Sequence, residues 1–171
     1  HILGEYLGND LSKIANTIEK LKVVLDGETI IDEEVIQKNV GISKDFNMFE
    51  LSNALAEKNV YKSNLIINHF AQNQKNYPLP VVMSTLYNYY TKLMKYHFYS
   101  PNVSEKELAT IIGVHPYVLN NYRTASRNYT KGKLARIFGY LREYDLKSKG
   151  VNNMSTTHGE LLKELVFKIL H

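Results

Sequence analysis

Hydrophobic residues in this chain recur every three or four positions and almost nowhere every second. Leu7, Leu11, Ile14, Ile18, Leu21 and Leu25 follow one another at spacings of 4, 3, 4, 3 and 4, the apolar stripe of an α-helix. Asp26-Gly27 ends that stripe. Glu28-Thr29-Ile30-Ile31 reads as extended or turn-like. Asp32 suits the N-cap of a brief helix through Val35, Ile36 and Val40, which Gly41 closes. A new element begins at Phe46 and turns Leu51, Ala54 and Leu55 inward. The helix after it carries Tyr61, Leu65, Ile66, His69 and Phe70. Polar residues from Asn73 to Asn76 break it, and Pro78 and Pro80 mark a loop.

A long helix is predicted from about Leu79 to Tyr99, with Leu86, Tyr90, Leu93 and His97 on one face and Pro101-Asn102 as its stop. Ser104-Glu105-Lys106-Glu107 is a capping box, in which the serine hydroxyl takes a free amide and the glutamate reaches back. Leu108, Ala109, Ile111 and Ile112 follow as an apolar face, and Gly113 ends that helix. Pro116 fits the first turn of a helix to about Asn128, and a further helix spans roughly Lys131 to Leu146. Thr157-His158-Gly159-Glu160 is a second capping box. It opens a last helix built on Leu161, Leu162, Leu165, Val166, Ile169 and Leu170. The expected fold is all-α, a small acidic N-terminal piece followed by a larger basic helical domain.

Composition narrows this reading. A length of 171 residues suits one domain, or one domain and part of a second. With no cysteine, disulfide frameworks, thiolate zinc sites and cysteine nucleophiles are excluded. No apolar run approaches the roughly 18 residues of a membrane-spanning helix, and no basic segment leads into an apolar core of signal-peptide type. These features are compatible with a cytoplasmic protein. Since the chain opens on His1 rather than Met and goes straight into helical sequence, it is expected to be a piece of a longer protein or a chain that has lost its natural start. Charge shifts along it: residues 1–42 hold four Lys against eight acids, and residues 43–171 hold 17 Lys or Arg against nine acids. A boundary near Ile42 explains the split. The basic half reads either as a surface for a polyanion or as ordinary solvated surface.

Catalytic signatures are missing. There is no H-E-x-x-H and no EF-hand loop. Lys131-Gly132-Lys133-Leu134 resembles the end of a phosphate-binding loop. Leu134 stands where Ser or Thr must reach Mg²⁺, however, and Arg127 where the first Gly belongs. His69 and His97 lie beside apolar helix faces and read as structural. No catalytic residue, cofactor or metal ligand is expected.

Two patterns point to binding. Leu108-Ala109-Thr110-Ile111-Ile112-Gly113-Val114, with Leu119 and Tyr122, has helix-turn-helix spacing within residues 105–128. Its second helix would offer Tyr117, Asn120, Asn121 and Arg123 to a major groove. The same spacing serves a purely structural helix pair. Next, Arg123, Arg127, Lys131, Lys133, Arg136, Arg142, Lys147 and Lys149 face only Glu143 and Asp145, with Tyr122, Tyr129, Tyr140 and Tyr144 interleaved. Cations of this kind meet phosphates and rings stack on bases. The alternative is that most of these tyrosines are core, covered by Lys and Arg stems. Lys147-Ser148-Lys149-Gly150 is then the part freest to meet a phosphate. Tyr87, Tyr89, Tyr90, Tyr96, Phe98 and Tyr99 crowd one helix, which suits either a subunit interface or a central core helix.

The segments in order resemble a known family. Leu7-Gly8-Asn9-Asp10-Leu11-Ser12-Lys13-Ile14-Ala15-Asn16 with Glu19-Lys20-Leu21 is similar to the lid region of the bacterial DNA polymerase III delta subunit. Phe46-Asn47-Met48-Phe49-Glu50-Leu51-Ser52-Asn53-Ala54-Leu55 resembles the start of its collar domain. Glu107-Leu108-Ala109, Gly113-Val114-His115-Pro116-Tyr117 and Ala125-Ser126-Arg127 match a later block. Asp145-Leu146-Lys147 with Gly150 matches the loop before the last helix. The resemblance implies a non-ATPase subunit of the clamp loader in DNA replication, with AAA+-like architecture, counted as a subunit of a nucleotidyltransferase. Residues 1–42 would be the end of the lid and residues 43–171 the helical collar. The collar would join delta prime and the gamma/tau-type ATPase subunits, and the sliding clamp would be met only through an N-terminal domain not present here. Interface residues would then be Tyr87, Tyr90, Leu93, Leu161, Leu165 and Phe167. Lys147, Lys149, Arg123 and Arg127 would be the cations nearest primer–template DNA. Under this resemblance the block at Leu108 is packing, not operator recognition.

Overall fold

The computed structural model describes residues 11–24 and 46–171. The extended piece expected at 28–31 and the brief helix expected at 32–40 lie outside the described residues. The chain divides into two compact units, residues 1–49 and 50–171. The boundary expected near residue 42 rests on the charge shift, the Gly41 stop and the family resemblance. In the first unit, α1 (Leu11–Val24) follows the predicted stripe, with Leu21 buried, Ile14 and Ile18 half-buried, and Leu11 exposed.

The second unit begins within α2 (Met48–Ala56). It continues as α3 (Val60–Gln72), α4 (Leu79–Tyr99), α5 (Glu105–Ile112), a 3-10 turn (Pro116–Val118), α6 (Leu119–Asn128), α7 (Lys131–Ser148) and α8 (His158–Leu170). Every described element is helical, as the period of the apolar residues requires. α4 is the spine. It packs along α7, takes α5 and α6 on another side, and touches α8. α8 in turn lies against α3 and α7. Leu51, Leu55, Ile66, Phe70, Leu86, Leu93, Leu134, Ile137, Leu165 and Ile169 have almost no solvent exposure. Each such side chain contributes about 1.5–3 kcal/mol through burial.

Side-chain caps set the helix ends. The Ser104 hydroxyl accepts the Glu107 amide, and the Glu107 carboxylate accepts the Ser104 amide at 3.0 Å. Thr157 and Glu160 repeat the arrangement at the start of α8. In both boxes the bonds to the capping residue hold the glutamate below the usual carboxylate range. Gly113 closes α5 at φ 69°, a left-handed conformation that L side chains resist, and Val114 then donates to the Ala109 carbonyl at 3.0 Å. Pro80, expected in a loop, sits in the first turn of α4, where a missing N–H costs nothing. The helix expected from Pro116 instead starts as a 3-10 turn, because Val118 donates back three residues to His115. A Cβ on Gly159 would lie 3.0 Å from the Ala71 Cβ and 3.2 Å from the Ala71 carbonyl oxygen. A bare backbone there lets the start of α8 approach the end of α3.

Candidate functional site

The first region that sequence reading singled out is the α5–turn–α6 segment. Its second helix turns Asn121 and Asn128 toward the domain and leaves Asn120, Arg123 and Arg127 exposed. The Tyr89 hydroxyl donates to Asn121 Oδ1 at 2.8 Å, and Asn121 Nδ2 donates to Asn53 Oδ1 at 2.6 Å. Asn128 Nδ2 donates to the Ala56 carbonyl at 2.7 Å, and the Tyr129 hydroxyl to the Leu55 carbonyl at 2.8 Å. His97 Nε2 meets the Tyr129 carbonyl at 2.7 Å. A carbonyl only accepts, so this nitrogen carries the proton. Together these bonds form a polar seam tying α2 and α4 to α6 and Tyr129. Burial pushes the Tyr89 and Tyr90 hydroxyls well above their ordinary pKa, and pushes Tyr129 up to about 12.

Arg123 pairs with Glu105 across the same segment. Hydrogen bonding to Tyr96, and then the Glu105 charge, raise its pKa further. Lys92 Nζ donates to the Gly113 carbonyl at 2.9 Å and anchors the turn to α4. Of the four side chains expected to face a DNA groove, Asn121 and Arg123 are therefore engaged within the domain. The Ala109–Gly113 spacing serves helix packing.

The cationic stretch is also more neutral than its count suggests. Lys147 pairs with Glu143 at 2.8 Å and lies over the Tyr144 ring at 4.6 Å. Lys149 pairs with Asp145 at 2.6 Å. Glu143 takes a second cation, Lys168 at 3.4 Å, and is held below the usual carboxylate range chiefly by its bond to Lys147. Asn153 orders the loop by donating to the Lys147 carbonyl at 3.2 Å and the Thr156 carbonyl at 3.0 Å. So Lys147 and Lys149, expected to be freest for a phosphate, are held by acids one turn back along α7. Arg127 is exposed and has no ion pair among the described residues. Tyr122, Tyr129 and Tyr144 are buried, in line with the core reading of these rings.

The aromatic helix separates into two sides. Of the six expected interface residues, Tyr90, Leu93, Leu161 and Leu165 are closed inside the domain. They hold the bundle together and offer no outer face. Tyr87 is 53% exposed and Phe167 59%. Phe167 stacks on His171 at 4.4 Å. Tyr87 opens onto a groove of about 680 Å³ between α4 and α7, lined by Tyr87, Thr91, Met94, Phe98, Tyr99 and Phe138, with Lys95 and Asn102 adding polar groups. Tyr87 and Phe138 meet edge to face at 5.6 Å. Phe98 is 58% exposed and carries the Lys131 ammonium 4.4 Å above its ring. The Thr91 hydroxyl oxygen is buried with no hydrogen-bond partner among the described residues. Thr91, Met94 and Phe138 were not among the residues singled out in the sequence, whereas Phe98 stood in the aromatic set of this helix. Their signal was present, since Tyr87, Thr91, Met94 and Phe98 are spaced 4, 3 and 4 apart.

Among the described residues, no cluster of His, Asp or Glu gathers where it would hold a metal ion. No helix described is long and apolar enough to cross a membrane. No curated protein matches the chain. The family model described as the DNA polymerase III delta subunit, C-terminal domain, matches residues 45–165. That span takes in α2 to α7 whole and most of α8, and the all-helical architecture agrees with it. The chain belongs to the DNA polymerase III delta subunit family, which it represents through that C-terminal domain.

Proposed function

We propose that this chain carries the collar of a clamp-loader delta subunit, the helical domain that holds the subunit in a ring with delta prime and gamma/tau-type ATPase subunits. In this reading residues 43–171 are the collar and residues 1–42 the end of an AAA+-like lid. The assembly acts in the cytoplasm during DNA replication. The chain contributes no catalytic group, and its part is to position the subunit while others hydrolyse ATP. Primer–template DNA is a partner of the assembled loader, and the sliding clamp is met through a domain outside these residues.

One observation carries the reading. The groove at Tyr87, Met94, Phe98 and Phe138 is aromatic and open in a domain whose core is complete without it. The family is by description a subunit, so it has neighbours to cover such a face. Large exposed aromatics around a central pocket are the usual anchors of a protein interface.

The test is the mass of the complex formed when this chain is mixed with delta prime and the ATPase subunit. The reading predicts a stoichiometric assembly. Elution of the chain alone from every mixture would overturn it.

A further inference from the structure

We propose that Lys58 and Lys133, with Arg136 beside them, form a binding site for a phosphate group next to Tyr129. The three cations come from the turn after α2 and from the start of α7. Lys58 follows the last turn of α2 with φ 53°, its amide donating to the Leu55 carbonyl at 2.9 Å. That left-handed conformation normally belongs to glycine, and a lysine there is strained. Its side chain places the ammonium 5.6 Å from the centre of the Tyr129 ring. Lys133, in the first turn of α7, brings a second ammonium to 5.7 Å from the same ring. Lys133 Nζ lies 3.4 Å from the Leu170 carbonyl at the end of α8. Arg136 follows one turn further along α7 and acts on Lys133 by its charge.

This arrangement differs from the ion-paired cations of the domain. Lys147, Lys149, Lys168 and Arg123 each have a carboxylate partner. Among the described residues Lys58, Lys133 and Arg136 have none. Glu57, beside Lys58 in sequence, is exposed and pairs with neither lysine. The Tyr129 hydroxyl is turned away, donating to Leu55. Partial burial, then the adjacent Lys58 and Arg136, pull Lys133 down to about 8. Two facing ammonium groups beside a guanidinium repel one another when the site is empty. An anion between them turns each repulsion into an attraction. A phosphate suits the geometry because its oxygens accept from several donors at once, and a guanidinium can hold two of them. The phosphate would come either from a nucleic-acid backbone or from a free phosphate compound. The site is independent of the collar reading, and either stands without the other.

The experiment titrates the 171-residue chain with inorganic pyrophosphate and, separately, with a short single-stranded oligonucleotide. The Lys133 side-chain signal is followed by NMR against pH. Without ligand, Lys133 should titrate near 8. Pyrophosphate should raise that midpoint by on the order of one pH unit, since a nearby opposite charge favours the ammonium. Lys58→Gln should weaken pyrophosphate binding about tenfold, as expected for one lost charge-assisted bond, while Lys147→Gln should leave it unchanged. Lys58→Gly relieves the left-handed strain and removes a like charge. It should raise the melting temperature and still lose binding, which a merely structural lysine would not do. Tighter oligonucleotide binding with a steep salt dependence would assign the phosphate to a nucleic-acid backbone. Tighter pyrophosphate binding would assign it to a free phosphate compound. An unmoved Lys133 midpoint with both ligands would overturn the proposal. So would Lys58→Gln binding as the parent does, or Lys147→Gln losing as much.

Discussion

Two stripes run side by side along α4 with the same spacing and opposite fates. Leu86, Tyr90, Leu93 and His97 lie 4, 3 and 4 residues apart, and the first three are fully buried. Tyr87, Thr91, Met94 and Phe98 repeat that spacing one residue later and line an open groove. A step of one residue turns a helix by about 100°, enough to move a stripe from the core to its flank. Both stripes carry aromatic rings, so hydrophobicity alone does not separate them. The neighbours do: α5, α6, α7 and α8 all pack on α4, whereas the outer stripe opens past the edge of α7. An apolar period identifies a helix, whereas the number of partners decides how much of its circumference is core.

Substitutions along the two stripes sharpen the contrast. Leu93→Ala empties a site with no solvent exposure. It should cost about 2–5 kcal/mol in denaturant unfolding, the range for a buried leucine whose cavity cannot fully collapse. Asn121→Ala removes the acceptor of the Tyr89 hydroxyl and the donor to Asn53 on the closed side. Leaving those groups unpaired should cost about 1–3 kcal/mol, read by the same unfolding curve. An unchanged curve would show that the polar seam is not what joins α2 to α6. Ser104→Ala removes one cap at the start of α5, outside both stripes, and should cost about 1 kcal/mol. Its partner Glu107 has a lowered pKa in the fold. The capping contribution is therefore whole above the unfolded carboxylate pKa and lost as pH falls through the folded one. The Ser104→Ala penalty should shrink in acid, measured as melting temperature against pH. Smallest of all, Tyr87→Ser on the open stripe should change stability by about 0.5 kcal/mol or less, as surface positions do. A large loss there would mean that the groove is part of the core.

Local rules with local causes were legible in the sequence. Both capping boxes, the left-handed Gly113, the limits of α4 and the whole buried face of α8 follow from residues within a turn of one another. Interface residues were harder, because Tyr90, Leu93, Leu161 and Leu165 satisfy the same pattern whether a helix meets its own domain or another chain. Charge was harder still. Counting residues 123–149 gives a strong positive excess. Glu143 and Asp145, however, sit four residues before Lys147 and Lys149, the helical distance at which opposite charges pair. The unpaired cations Lys58 and Lys133 are 75 residues apart in sequence, and only the packing of Tyr129 between α2 and α7 brings them together. Gly159 is a similar case, since its need for a bare backbone comes from Ala71 on another helix.

The most direct test of the collar account compares Phe98→Ser with the parent chain in two readings, melting temperature and the mass of the complex with delta prime and the ATPase subunit. The account predicts a melting temperature within about 2 °C of the parent, the shift expected for a surface change in a domain of this size, together with loss of the stoichiometric complex. A Phe98→Ser chain that assembles as the parent does would contradict it.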